Sequence, residues 1–191
     1  APDRLENECL SIRLSLQGEL LDIVDRATGR RWNAGPCNRL RLYRDTPSLF
    51  DAWDIDSQYE DEEESLGEDI DPAVVLSGGP VGEVAFTRRF GSSRLTQVVR
   101  LRAGEHHVEF DCRLDWQERH RLLKVEFAPD LRAMEGISEI QYGWIRRPND
   151  RSTQYGKDRF EVCQQRWSAL CDGGRGMAVL NDCRQGLSFH D

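Results

Sequence analysis

No stretch of this sequence reaches the roughly 18 consecutive apolar residues that a membrane-spanning helix needs. Its start, "APDRLENECL", lacks the basic end, apolar centre and processing site of a secretory leader. No CxxC pair and no Cys/His ligand spacing occurs among the six cysteines at 9, 37, 112, 163, 171 and 183. Scattered thiols in a chain of this size predict reduced cysteines and a cytoplasmic setting rather than a disulfide frame, with no zinc bound by this chain alone. Basic charge is also short: Lys plus Arg is 26 against 34 Asp plus Glu, a net charge of −8. That balance argues against nucleic acid and anionic membranes as partners, since both reward a basic face. There is no Gly-x-Ser-x-Gly, no P-loop, no Rossmann glycine pattern and no metalloprotease helix, so nothing here generates a nucleophile by itself. The chain does not begin with Met, which reads as a piece of a longer polypeptide.

What is present is alternation. In "CLSIRLSL", Leu10, Ile12, Leu14 and Leu16 share one face, and "GELLDIVD" supplies a second strand across a turn at Gln17-Gly18. "NRLRLYRD" alternates again. Residues 72–116 read as four strands split at Gly78-Gly79-Pro80, Gly91-Ser92-Ser93 and Ala103-Gly104. In the last of them Val108, Phe110, Cys112, Leu114 and Trp116 alternate with Glu109, Asp111, Arg113 and Asp115. Short strands follow at "LLKVEFAP", "SEIQYGWIRRP", "DRFEVC" and "GMAVLND". No segment keeps a helical period over a dozen residues. The pattern predicts an all-β fold, an antiparallel sandwich of two sheets, as one domain over 1–191.

Three segments are dense in polar chemistry. The first, "LFDAWDIDSQYEDEEESLGEDID", places Asp51, Asp54 and Asp56 around Trp53 and then runs into eight acids without a base between Glu60 and Asp71. If "DAWDID" is a strand, Asp54 and Asp56 share a face. A retaining glycosidase needs two carboxyls about 5 Å apart, yet such pairs come from separate elements converging on the sugar. Trp53 reads either as packing or as a wall beside a sugar. The acidic run, about 60–71, reads as a mobile, solvated loop, without the spacing of a calcium loop. The second segment, "DWQERHRLLKVEFAPD", reads as a charge-paired turn carrying Glu118, Arg119 and His120. His106 and His107 point to opposite faces, and His190 lies at the end of the chain. The third, "EIQYGWIRRPNDRSTQYGKDRFEVCQQRW", reads as a charge network, with Trp144 and Trp167 needing cover.

Taken together and in order, "YRDTPSLFDAWDID", the second segment, and the third with "GMAVLND" resemble the C-terminal β-sandwich region of zinc-dependent α-mannosidases, glycoside hydrolase family 38, in its cytosolic and bacterial branch. The likeness runs from about Asn38 to Asp182. It implies a galactose-mutarotase-like supersandwich, truncated at its C-terminal end. It implies a parent enzyme that hydrolyses terminal α-mannosides with retention, its carboxylate nucleophile and zinc both on a catalytic domain absent from this chain. The expected partners are that domain, a helical domain of the same chain, and an α-mannoside or oligosaccharide; homo-oligomerisation is left open. No residue here is expected to be catalytic or to bind metal, and Trp53 and Asp54 are expected nearest the substrate. The resemblance departs at "CQQRW", where Gln164, Gln165 and Arg166 replace a stretch that commonly holds a His. On the same fold, a stand-alone carbohydrate-binding module or a mutarotase-like epimerase is the alternative, the latter needing His107 or His120 as its acid.

Overall fold

In a computed structural model the described residues are 2–51, 53–183 and 185–189; His190 lies outside them. They form antiparallel strands with one short helix. Contacts divide the chain into two compact units, Ala1–Asp130 and Leu131–Asp191.

In the first unit, β1 (Arg4–Glu6), β2 (Leu10–Leu14) and β3 (Leu20–Asp25) form one antiparallel sheet. The β2–β3 hairpin turns where the sequence predicts it. Gly18 adopts φ +84°, and a Cβ there would meet the Phe86 ring at 3.1 Å, so the turn needs glycine on both counts. β4 (Arg39–Arg44) and β5 (Glu63–Glu64) belong to a second sheet. β6 (Val74–Ser77), β7 (Val81–Phe90), β8 (Ser93–Arg102) and β9 (Glu109–Asp115) form a third, in that spatial order. β10 (Arg121–Glu126) crosses back to the second sheet and pairs with β4 along its whole length.

The core follows the alternation. Ile12 and Val99 are fully buried, and Leu14, Leu20, Val84, Phe86 and Leu101 are nearly so. Leu42 of β4 packs with Phe90 and Leu95 of β7 and β8, and Leu40, Leu66, Trp116 and Leu123 close around them. Burying such side chains contributes roughly 1.5–3 kcal/mol each. Two buried amides of this unit are fully engaged. Asn38 and Gln97 exchange amide hydrogen bonds of 2.6 and 3.1 Å, with Asn38 also donating to Gly18 O. Asn33, 1% exposed, accepts from Ile23 N and donates to Leu21 O and Gly35 O.

The second unit is a four-stranded antiparallel sheet in the order β12 (Gly143–Pro148), β11 (Glu135–Ile140), β14 (Trp167–Asp172), β15 (Arg175–Leu180). A small pair is made by β13 (Val162–Cys163) and β16 (Gly186–Leu187), and α1 (Gln154–Lys157) is the helix. "SEIQYGWIRRP", read from sequence as one strand, is a hairpin. The chain reverses at Gln141-Tyr142, with Tyr142 at φ +66°, so Ile140 pairs with Gly143. The buried Ser138 and Ser168 hydroxyls meet at 2.9 Å across β11 and β14.

Candidate functional site

The β4–β10 ladder brings two of the three polar segments together. Its last pair is Arg44 with Arg121, so the residues just beyond, Asp45 and His120, lie side by side. Asp45 N donates to His120 O at 2.9 Å, and His120 takes a left-handed φ of +53° to make the turn. The "FDAWDID" loop therefore leaves the sheet where the "DWQERH" turn enters it. Asp51 Oδ1 comes within 3.4 Å of His120 Nδ1. No periodicity announces that meeting, because it depends on a pairing between residues 75 positions apart.

The loop is not a strand, so the shared face expected for Asp54 and Asp56 does not exist. Phe50 adopts φ +54°, and its carbonyl accepts from Trp53 N at 2.7 Å and Asp54 N at 3.1 Å. Asp54 Oδ1 accepts from Ile55 N, and Asp56 Oδ1 from Gln58 N, so both carboxylates hold their own turns. Leu49, Phe50 and Trp53 stand exposed on this loop, Trp53 at 92%. Packing within this unit therefore does not account for Trp53. An indole face beside carboxylates suits a ligand with a C–H face and hydroxyl donors.

At the base of the loop sits Asp45. One of its carboxylate oxygens is buried without a hydrogen-bond partner. Burial pushes its pKa up; the negative charge of Asp51 pushes it further, with Asp56 and Asp54 adding to this, while His120 opposes them. Glu118 serves another purpose. It accepts from Ser92 N at 2.7 Å and Ser93 Oγ at 3.0 Å and ties down the β7–β8 turn.

The acidic run is exposed but docked, which differs from the mobile loop expected from its charge. Glu63 pairs with Arg41, Glu64 with Arg121, Glu62 with Arg44, and Asp69 and Asp71 with Arg89. Each exposed pair contributes under about 1 kcal/mol. Two apolar anchors matter more. Tyr59, 2% exposed, packs edge-on against Tyr43 at 5.1 Å and receives a 2.7 Å bond from Lys124 Nζ. Leu66 packs on the Leu42–Phe90–Leu95 cluster. Both are visible in the sequence as lone apolar residues in a charged stretch, and charge density masked them.

Among the described residues no three His, Cys, Asp or Glu side chains converge to hold a metal ion. In the second unit the polar segment is a charge network, as its composition predicts: Arg166 grips Glu139, Arg146 faces Glu135 and Arg175 pairs with Asp172. Trp144 stays 57% exposed under the Arg146 guanidinium, 5.6 Å from its ring. No helix among the described residues is long and apolar enough to cross a membrane.

Comparison with known proteins adds the family. Alpha-mannosidase 2C1 of Homo sapiens is 37% identical over 188 residues, covering 96% of this chain and 18% of that protein. Alpha-mannosidase G of Dictyostelium discoideum is 29% identical over 193 residues, with the same coverage. The crystal structure of an alpha-mannosidase from Enterococcus faecalis V583 superposes with a TM-score of 0.76 at 13% identity, over 98% of this chain and 24% of that one. At that identity the likeness carries the fold alone. The chain thus spans about a fifth of the length of the relatives it matches. The family described as glycosyl hydrolases family 38 C-terminal domain matches residues 5–191, and the chain belongs to it.

Proposed function

We propose that this chain is the sandwich part of a retaining α-mannosidase, supporting the catalytic domain and lining the sugar site with Trp53 and Asp54. The observation that carries the reading is Trp53, 92% exposed on a loop whose base is fixed to the β4–β10 ladder. A large indole held in solvent by an ordered support is a surface awaiting a partner. A terminal α-mannoside offers a hydroxyl-rich ring to Asp54 and a C–H face to Trp53. The nucleophile and the zinc belong, in this reading, to another domain of a longer parent chain, which also supplies a helical domain. The chain by itself is then inactive. The reading carries a cytoplasmic setting, supported by the scattered, unbridged thiols.

The test is hydrolysis of an aryl α-mannoside, with added zinc or cobalt, by this chain and by the longer protein. Activity in the longer protein alone is the expected result. Trp53→Ala there should lower kcat/KM by about tenfold or more, the effect of losing roughly 1.4 kcal/mol of transition-state contact. A change within about twofold would remove Trp53 from the sugar site. Turnover by this chain alone would place the chemistry on its own carboxylates.

A further inference from the structure

Among the described residues, four that are not glycine adopt positive φ: Asn38, Phe50, His120 and Tyr142. Two of them flank a single contact. Phe50 precedes Asp51 in the chain, and Asp51 Oδ1 lies 3.4 Å from His120 Nδ1. Left-handed backbone costs a residue with a Cβ more than it costs glycine, and residues kept there gather where a side chain has a task. Glycine at 120 would make the same turn at less cost, so the backbone alone does not call for an imidazole.

Asp51 is built into the turn that presents Trp53 and Asp54. Phe50 O closes that turn by accepting from Trp53 N at 2.7 Å and from Asp54 N at 3.1 Å. Every other hydrogen bond or ion pair made by the described residues of 46–58 reaches only a near neighbour in the chain. The Asp51–His120 contact is the one that leaves the loop. His120 is itself fixed, because its carbonyl takes Asp45 N at 2.9 Å and the next residue, Arg121, pairs with Arg44. Charge makes the tether necessary. The Asp45 carboxyl is raised by burial and then by the charge of Asp51, with His120 acting the other way. Asp45 and Asp51 thus repel each other across the root of the loop, and the imidazole offsets that repulsion.

We propose that His120 is a positioning residue for the sugar site: through Asp51 it fixes the turn that presents Trp53 and Asp54. This role rests on the reading of Trp53 and Asp54 as the residues that line that site. Rigidity passes from the β4–β10 ladder to His120, from His120 to Asp51, and from Asp51 to the indole.

Substitutions in the longer protein test this. His120→Gly keeps the turn and removes the tether. The Trp53 and Asp54 amides should then exchange about two- to fivefold faster at short labelling times, with those of β4 and β10 unchanged. The kcat/KM for an aryl α-mannoside should fall by a similar factor, the size expected of one exposed pair. His120→Asn suits the same backbone and carries an amide N–H in place of the ring nitrogen, so it should restore most of both losses. Asp51→Ala should match His120→Gly, and the double variant should be no worse than either, because both cut one contact.

Unchanged exchange at Trp53 and Asp54 in both single variants overturns the proposal. So do losses that add in the double variant, or a His120→Asn variant as impaired as His120→Gly. If Trp53→Ala lowers kcat/KM while His120→Gly leaves it unchanged, His120 does not position the site and the proposal falls. If Trp53→Ala itself has no effect, the sugar-site reading has failed, and the exchange rates alone decide whether His120 positions the loop.

Discussion

Asp45 and His120 are joined backbone to backbone, the N–H of one donating to the carbonyl of the other at 2.9 Å. That single bond closes the β4–β10 ladder and fixes where the Trp53 loop leaves the fold. It also traps the Asp45 carboxyl in a partly buried position facing three further aspartates.

The Asp45 carboxyl therefore carries a pH signature. Its folded pKa lies above its unfolded one, so the folded state binds the proton more tightly. Below the ordinary carboxylate range, where both states are protonated, the group makes no difference. As pH rises from that range through the raised folded value, stability falls, and the loss persists above it. Asp45→Asn should raise Tm at pH 7 and leave it nearly unchanged at pH 3. An equal gain at both pH values would mean that charge is not the cause.

Glu109 is the opposite case. Hydrogen bonds from Arg102 and Arg100 hold its pKa down to about 2. Its folded pKa is depressed, so its contribution is complete above the ordinary glutamate range and is lost as pH falls through about 2. Glu109→Gln should destabilise by about 0.5–1 kcal/mol at pH 7, the range for largely solvated pairs, and by nothing near pH 1.5. Chemical denaturation at the two pH values measures the difference. A loss of the same size in acid would point to packing of the side chain instead.

Tyr59 should decide whether the acidic run stays docked. Tyr59→Ala removes a buried ring and should cost about 3–5 kcal/mol. Amides of 60–71 should then exchange quickly while those of β8 keep more of their protection. Tyr59→Phe keeps the ring and deletes the hydroxyl that accepts from Lys124 and donates to Glu60, and should cost about 1 kcal/mol. Slow exchange across 60–71 in the alanine variant would show that the arginine pairs suffice by themselves.

Asn33→Ala leaves Ile23 N and Gly35 O without their Asn33 partner inside the first unit, and Leu21 O with only its bond from Arg31 Nη2. A loss of about 3 kcal/mol follows, or a fall in Tm of roughly 6–12 °C for a chain of this size. Thermal unfolding followed by circular dichroism checks it. A fall of a degree or two would mean that water takes over the amide's bonds.

The sequence by itself determined the all-β architecture. Period-two alternation in β2, β8 and neighbouring strands, cut by glycine turns, admits little else, because a helix would scatter Leu10, Ile12 and Leu14 around its surface. Family membership was legible in the same way, since the polar segments are long and ordered. The β11–β12 hairpin was not legible, because its turn uses Tyr142 at positive φ where no glycine or asparagine signals it. Nor was the docking of the acidic run, which rests on Tyr59 and Leu66 reaching clusters built by distant strands. Only the tertiary structure set Asp51 beside His120 and exposed Trp53. Local chemistry decides which face of a strand is apolar. Which strand lies beside which, and so which side chains meet, is decided by long-range pairing whose loop-closure cost and packing gain no short window of sequence contains.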